Sequence, residues 1–253
     1  MGRQECRGMR AAGVLGQSRY NLPMVPRRHE VSRLEAFSDA AFAFALTLLV
    51  VSLDVPRSYG ELMLLMKGFF SFACCFALLV WIWHEHNMFF RRYGLQDALT
   101  VALNGALLFV VLFYVYPLKF MFDSMFAQMM PGAYPELQRM SLAQLSRASA
   151  IYGLGFVVLF VMFTLLYGRA YSKRVELQLD ALEMFDVKAF AGHHLVSASV
   201  GVIATAMALL APLQLAPLSP MCFALMGPGH WLYGNHMIKR RASFARARAV
   251  EET

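Results

Sequence analysis

Arg33, Ser38 and Asp39 stand at the head of an apolar stretch, Ala40-Ala-Phe-Ala-Phe44-Ala-Leu-Thr47-Leu48-Leu-Val-Val51, with one hydroxyl near its centre. Asp54 and Pro56 close it. Polar groups inside a membrane are costly unless they meet partners or line a water-filled path. A guanidinium, a serine, a carboxylate and a threonine in this arrangement therefore point to work beyond anchorage. On a helix, Phe37, Ala40 or Ala41, Phe44, Thr47 or Leu48, Val51 and Asp54 fall along one face by i, i+3, i+4 and i+7 spacing. Around a symmetry axis this stripe becomes a stack of rings. Phe44 would form a hydrophobic constriction that gates by dewetting, Thr47 a ring of oxygens that partly replaces an ion's water, and Val51 a second apolar ring. Asp54 would concentrate cations at the outer mouth. The alternative is ordinary packing, with the Thr47 hydroxyl bonded to the backbone of its own helix.

The elements that must position these residues follow from composition. The chain has 253 residues, 58% of them apolar and only 15% charged, with a mean hydropathy of +0.50. That excludes a soluble domain of this size and gives an integral membrane protein. Six apolar runs of about 20 residues are each long enough to cross a hydrocarbon core of about 30 Å. They extend from Leu34 to Leu53, Leu62 to Trp83 with continuation to Phe90, Ala98 to Phe120, Ala148 to Tyr167, Ala189 to Leu210, and Leu218 to Ile238. Strand alternation is absent from these runs, so the expected fold is all-α, a polytopic membrane protein of six transmembrane helices. A basic and disordered arm is expected over residues 1–32, a six-span domain over 33–238 and a basic tail over 239–253. The arm lacks a continuous apolar core, which argues against a cleaved secretory signal.

Eighteen of the 23 Lys and Arg fall on one side of these spans and five on the other (Arg57, Lys67, Lys119, Arg139 and Arg147). The positive-inside rule then places both termini in the cytoplasm. The net charge of +7 sits on loops flanking spans, where topology and anionic lipid account for it, so no nucleic acid is expected as a partner. Cys6, Cys74, Cys75 and Cys222 show no C-x-x-C spacing and no matched pair outside the membrane, and the adjacent Cys74 and Cys75 read as small packing residues. The connection from Asp123 to Arg147 is the longest, with an ordinary loop expected there and a short amphipathic helix from Glu136 as the alternative. Tyr171 to Asp186 reads as a short linker, partly helical, whose charges need no special role.

The motif R-x-x-x-F-S-D, present as Arg33, Phe37, Ser38 and Asp39, resembles that of the transmembrane protein 175 family of potassium channels. Leu46-Thr47-Leu48-Leu49, Asp54, Pro56, the cluster Trp81-Ile-Trp83-His84-Glu85-His86 and Asn104 extend the resemblance. The chain is similar to the single-repeat prokaryotic form, from Arg33 to Met237. The resemblance implies a homotetramer in a prokaryotic plasma membrane, passing potassium ions without a cofactor, with the first helix of each subunit around the pore. It puts the constriction at Phe44, the filter threonine at Thr47 and a second apolar ring at Val51. The family usually carries Ile or Leu at the constriction, and Phe44 departs from that. Four phenyl rings would close the path more tightly or turn their faces toward a cation. Arg33, Phe37, Ser38 and Asp39 are implied to join Trp81 or Trp83, His84 and Asn104 in a packed network that fixes the rotation of the first helix. Asp39 therefore belongs to the architecture rather than to ion coordination.

Two other functions compete. Seven histidines, among them His84, His86, His193, His194, His230 and His236, invite a metal-dependent membrane enzyme. However, His84 and His86 point about 200° apart on a helix, and the multiple histidine sets of such enzymes are missing, so no metal site and no enzyme are expected. A proton-coupled transporter is the nearer rival, with Asp39, His84, Glu85 and His193 as a relay. No inverted repeat with paired Gly or Pro breaks supports it. The expected function is a potassium-permeable cation channel.

Overall fold

The computed structural model describes residues 31–53, 55–129 and 134–251. All but the last two residues of the expected N-terminal arm, and Asp54, lie outside the described residues. Helix α1 (Arg33–Val51) starts at a capping box: the Ser32 hydroxyl accepts from the Glu35 amide, and the Glu35 carboxylate accepts from the Ser32 amide at 2.6 Å. This satisfies two of the amides that a helix N-terminus leaves unpaired. Two helices follow where one was expected, α2 (Tyr59–Lys67) and α3 (Phe69–Tyr93), joined at Gly68. Gly94, in the left-handed conformation at φ 57°, ends α3, and its amide donates to the Phe90 carbonyl.

Helix α4 (Ala98–Met129) continues nine residues past the expected end of its span at Phe120 and is held there by the Lys119–Asp123 pair one turn apart, at 2.7 Å. The expected long connection is thereby shortened to a single-turn α5 (Pro135–Gln138) before α6 (Leu142–Ser172), which opens on a second capping box from Ser141 and Gln144. Asp180 and Glu183 form a third at the start of α7 (Ala181–Leu210).

The sixth apolar run is divided. Ala216–Leu225 is a 3₁₀ segment with Pro217 near its start and Pro220 inside it, and α8 runs from Met226 to Glu251. Each proline lacks the N–H that an α-helix would use and crowds the preceding turn. Among the described residues, by length and composition, five helices, α1, α3, α4, α6 and α7, suffice to cross a membrane, where six were expected. The 3₁₀ segment, ten residues at about 2.0 Å each, needs the first turns of α8 to reach a crossing length. Residues 239–251, expected as a separate tail, continue α8.

The bundle is built in sequence around α4: α1 packs on α3 and α4, α6 packs on α4, α7 on α6, and the 3₁₀ segment and α8 on α7. Lipid is as apolar as a leucine side chain, so dispersion and shape hold these contacts rather than escape from water. The α6–α7 contact is close because Gly153 and Gly201 face each other; a Cβ on Gly201 would stand 2.9 Å from Val157 and 3.0 Å from Phe156. Phe89, Tyr93, Phe156, Phe160, Phe163 and Tyr167 fill the space between α3, α6 and α7 with tilted and edge-on ring contacts. At one end of the bundle charges pair across helices: Arg92 with Glu183 at 2.8 Å, Arg169 with Asp97 at 2.8 Å, and Arg241 with Asp186 at 2.7 Å, so that Glu183 and Asp186 of the linker, expected to need no special role, have one.

Candidate pore helix and its supporting network

Helix α1 has two unlike faces. Glu35, Ser38, Phe42, Ala45 and Leu49, spaced three and four apart, are buried against the subunit. Arg33, Phe37, Ala40, Phe44, Thr47 and Val51 are exposed, Phe44 at 55% and Val51 at 70%, and Leu48 lies half-buried at the flank. The stripe expected to meet the ion is therefore the one left uncovered by the described residues of its own subunit. The Thr47 hydroxyl donates to the Ala43 carbonyl at 3.0 Å. A hydroxyl has one proton and two lone pairs, so this bond leaves the oxygen's acceptor side directed away from the helix.

The buried face is fastened by polar groups. Asn104 on α4 donates its amide N–H to the Ser38 Oγ at 2.9 Å, and Ser38 donates in turn to the Leu34 carbonyl at 2.8 Å. The Asn104 Oδ1 lies 2.7 Å from His86 Nε2 on α3. Since that oxygen only accepts, Nε2 carries the proton, and the bonds run His86 to Asn104 to Ser38 to the Leu34 carbonyl. Three helices are joined through residues that are all at most 1% exposed. The His86 ring also packs on Phe42 and Phe90. Nearer the surface, Trp83 Nε1 donates to Asp39 Oδ1 at 2.7 Å.

Asn104, Ser38 and Asp39 thus occur in the network with Trp83, one of the two tryptophans expected, whereas His84 is replaced and Arg33 and Phe37 lie exposed outside it. His84 is exposed, and His86 takes the buried position. Trp81 packs its ring on Phe160, and Trp83 bonds the aspartate. The signal was available: Cys75, Leu79, Ile82, His86, Phe89 and Tyr93 recur at spacings of three and four, and all six are buried. His84 and Trp81 lie off that stripe. The capping box of Ser32 and Glu35 was likewise legible as S-x-x-E just before the apolar run.

The residues weighed as a proton relay separate. Asp39 faces Trp83, and His84 faces outward. A different cluster forms in the subunit interior: Glu85 Oε2 lies 3.7 Å from His194 Nε2, His193 Nδ1 lies 3.1 Å from His230 Nδ1, and Ser197 Oγ lies 3.0 Å from His230 Nε2. Among the described residues, no group of three or more His, Cys, Asp or Glu is arranged to hold a metal ion.

Comparison with known proteins agrees with this geometry. The sequence model described as "Endosomal/lysosomal potassium channel TMEM175" matches residues 33–114, which hold α1, α2, α3 and the first half of α4. A potassium channel of Marivirga tractuosa is 39% identical over 193 residues, covering 74% of this chain and 78% of its own. The crystal structure of a variant of the potassium channel MtTMEM175, in complex with a nanobody–MBP fusion protein, superposes with a TM-score of 0.76. It is 34% identical, over 87% of this chain and 98% of that one. A homologue, from Chamaesiphon minutus, of the lysosomal potassium-selective channel TMEM175 shares the fold with a TM-score of 0.51 at 22% identity, over 83% of this chain and 96% of its own. These relatives are channels, not enzymes. With its R-x-x-x-F-S-D motif on a helix held by Asn104 and Trp83, the chain belongs to the TMEM175 potassium-channel family.

Proposed function

We propose that four copies of this chain assemble around α1 and conduct potassium passively through the central path. The observation that carries this reading is the division of α1: a polar lock on its buried face and an uncovered stripe of Phe37, Ala40, Phe44, Thr47 and Val51 on the other. In the tetramer Phe44 and Val51 form apolar rings, and Thr47, flanked by Leu48, presents four oxygens between them. Asp54 attracts cations to the outer mouth. Ser38 and Asp39 set the rotation of α1 with Trp83, His86 and Asn104. The channel sits in the plasma membrane of a prokaryote with both termini in the cytoplasm, a reading supported by the eighteen-to-five division of basic residues.

Planar-bilayer recordings of purified protein under opposed potassium and sodium gradients test the proposal. The expected outcome is unitary currents that reverse near the potassium equilibrium potential. A reversal potential indifferent to potassium, or reconstituted protein without current, would overturn it. A second reading, proton-coupled carriage, has one observation in its favour, the interior cluster of Glu85, His193, His194 and His230. Saturating flux coupled to a proton gradient, in place of unitary currents, is its distinguishing result.

A further inference from the structure

Helix α8 begins apolar and ends with Lys239, Arg240, Arg241, Arg246 and Arg248. Two contacts fix its rotation against α7. Arg241 grips the buried Asp186 with two hydrogen bonds, Nε to Oδ1 at 2.7 Å and Nη2 to Oδ2 at 3.0 Å, and Phe244 stacks on Phe185 with ring centroids 5.9 Å apart. With Arg241 turned inward, His236, Lys239, Arg240 and Ser243 follow at i, i+3, i+4 and i+7 on a neighbouring exposed face. Together with Phe185 and Phe244 they line an open groove of about 550 Å³.

The chemistry of this lining selects a ligand. An ammonium, a guanidinium, an imidazole and a hydroxyl converge, and no described carboxylate lines the groove. Asp186, the nearest acid in sequence, is already engaged by Arg241. The set therefore takes an oxyanion, for which guanidinium and ammonium groups suit tetrahedral phosphate. The two phenyl rings add an apolar wall that a free anion would not use. Phe185 also stands in the first turns of a helix long and apolar enough to cross a membrane, so the groove opens where lipid chains begin.

We propose that this groove binds the phosphodiester of an anionic phospholipid, with Lys239 and Arg240 on the phosphate, the Ser243 Oγ, whose own proton goes to the Lys239 carbonyl at 3.1 Å, accepting from a headgroup hydroxyl, and an acyl chain along Phe185 and Phe244. Basic pockets beside membrane helices hold acidic headgroups in this way. The proposal does not depend on where the pore lies.

Native mass spectrometry of the detergent-solubilised full chain tests it, with dioleoylphosphatidylglycerol, dioleoylphosphatidylcholine and inorganic phosphate as probes. Phosphatidylglycerol should bind at least about tenfold more tightly than phosphatidylcholine, whose choline cation faces Lys239 and Arg240, a difference of about 1.4 kcal/mol. In the double variant Lys239→Gln/Arg240→Gln that preference should vanish. In Lys173→Gln/Arg174→Gln, which removes the same charge from another site, it should persist. Lys239→Gln alone, with both α8 anchors intact, should give an intermediate loss and keeps the test open if the double variant folds poorly. Equal binding of the two lipids, retention of the preference in the double variant, or equal loss in both double variants would overturn the site. Displacement of phosphatidylglycerol by inorganic phosphate at equal concentration would assign it to free phosphate instead.

Discussion

Thr47 and Phe44 divide the work of the candidate pore by chemistry. The Thr47 oxygen, its proton committed to Ala43, has only acceptor capacity left to offer, which is what a dehydrating cation requires. Phe44 offers no lone pair and narrows the path by volume. Thr47→Ala should therefore move the reversal potential toward that of a non-selective cation pore, lowering the potassium-to-sodium permeability ratio about tenfold, the factor given by about 1.4 kcal/mol of differential coordination. Phe44→Ala should raise unitary conductance severalfold with a smaller change in reversal potential. Single-channel recording separates the two. Asn104 works differently, since it meets no ion and holds the chain of bonds from His86 to Ser38. Asn104→Leu keeps the volume, orphans the buried His86 N–H at about 1–3 kcal/mol and removes the donor to Ser38, which keeps its bond to the Leu34 carbonyl. Thermal unfolding in detergent should show the loss, which apolar packing at the same site does not recover. The motif and Asn104 were legible because their residue types are out of place in an apolar helix. The choice of His86 over His84 depends on which face α3 turns inward, and that phase is written in the buried stripe from Cys75 to Tyr93 rather than in the histidines themselves.

At the scale of elements, hydropathy locates each crossing, but capping and pairing decide where helices end. Helix α6 begins six residues before its expected span because Ser141 and Gln144 cap it there. Helix α7 begins eight residues early at the Asp180–Glu183 box. The division of the sixth run follows from Pro217 and Pro220, which an apolar count does not register. The charged helix ends then become ties between elements. Asp97, just before α4, accepts from the Thr100 hydroxyl at 2.6 Å and from Arg169 on α6 at 2.8 Å. Burial acts to raise its pKa, but the Arg169 and Thr100 hydrogen bonds outweigh it and bring the carboxyl down to about 2. A depressed carboxyl pKa contributes stability above the unfolded value, near 4, and the contribution disappears as pH falls from there through about 2. Asp97→Asn keeps a capping side chain but removes the charge paired with Arg169, and should lower stability at neutral pH by up to about 1 kcal/mol, the worth of a partly exposed ion pair. The gap between variant and wild type should close as the melting series is taken from pH 5 toward pH 2. A gap constant with pH would show that the charge on Asp97 contributes nothing.

For the whole molecule, the single subunit accounts for one half of α1 and leaves the other half without a use. Its buried half meets α3 and α4, whereas Phe37, Phe44 and Val51 stand 65%, 55% and 70% exposed. Lipid would tolerate those apolar side chains, but lipid gives no reason to place the Thr47 oxygen among them, and a closed ring of subunits does. Closed cyclic symmetry brings the same residue of every copy to one level, so in the proposed tetramer each subunit would contribute one Phe44 to a shared constriction. This makes the effect of Phe44→Ala a function of how many subunits carry it. Co-expression of wild-type and Phe44→Ala chains, distinguished by tags, should yield channels of several conductance classes lying between the two pure forms. In a tetramer five compositions are possible, and their frequencies should follow a binomial distribution in the expression ratio. A pore inside each subunit predicts only the two parental conductances at every ratio, because no constriction would then be shared. The same recordings therefore decide between a pore on the symmetry axis and a path through the interior of the subunit past Glu85 and His194.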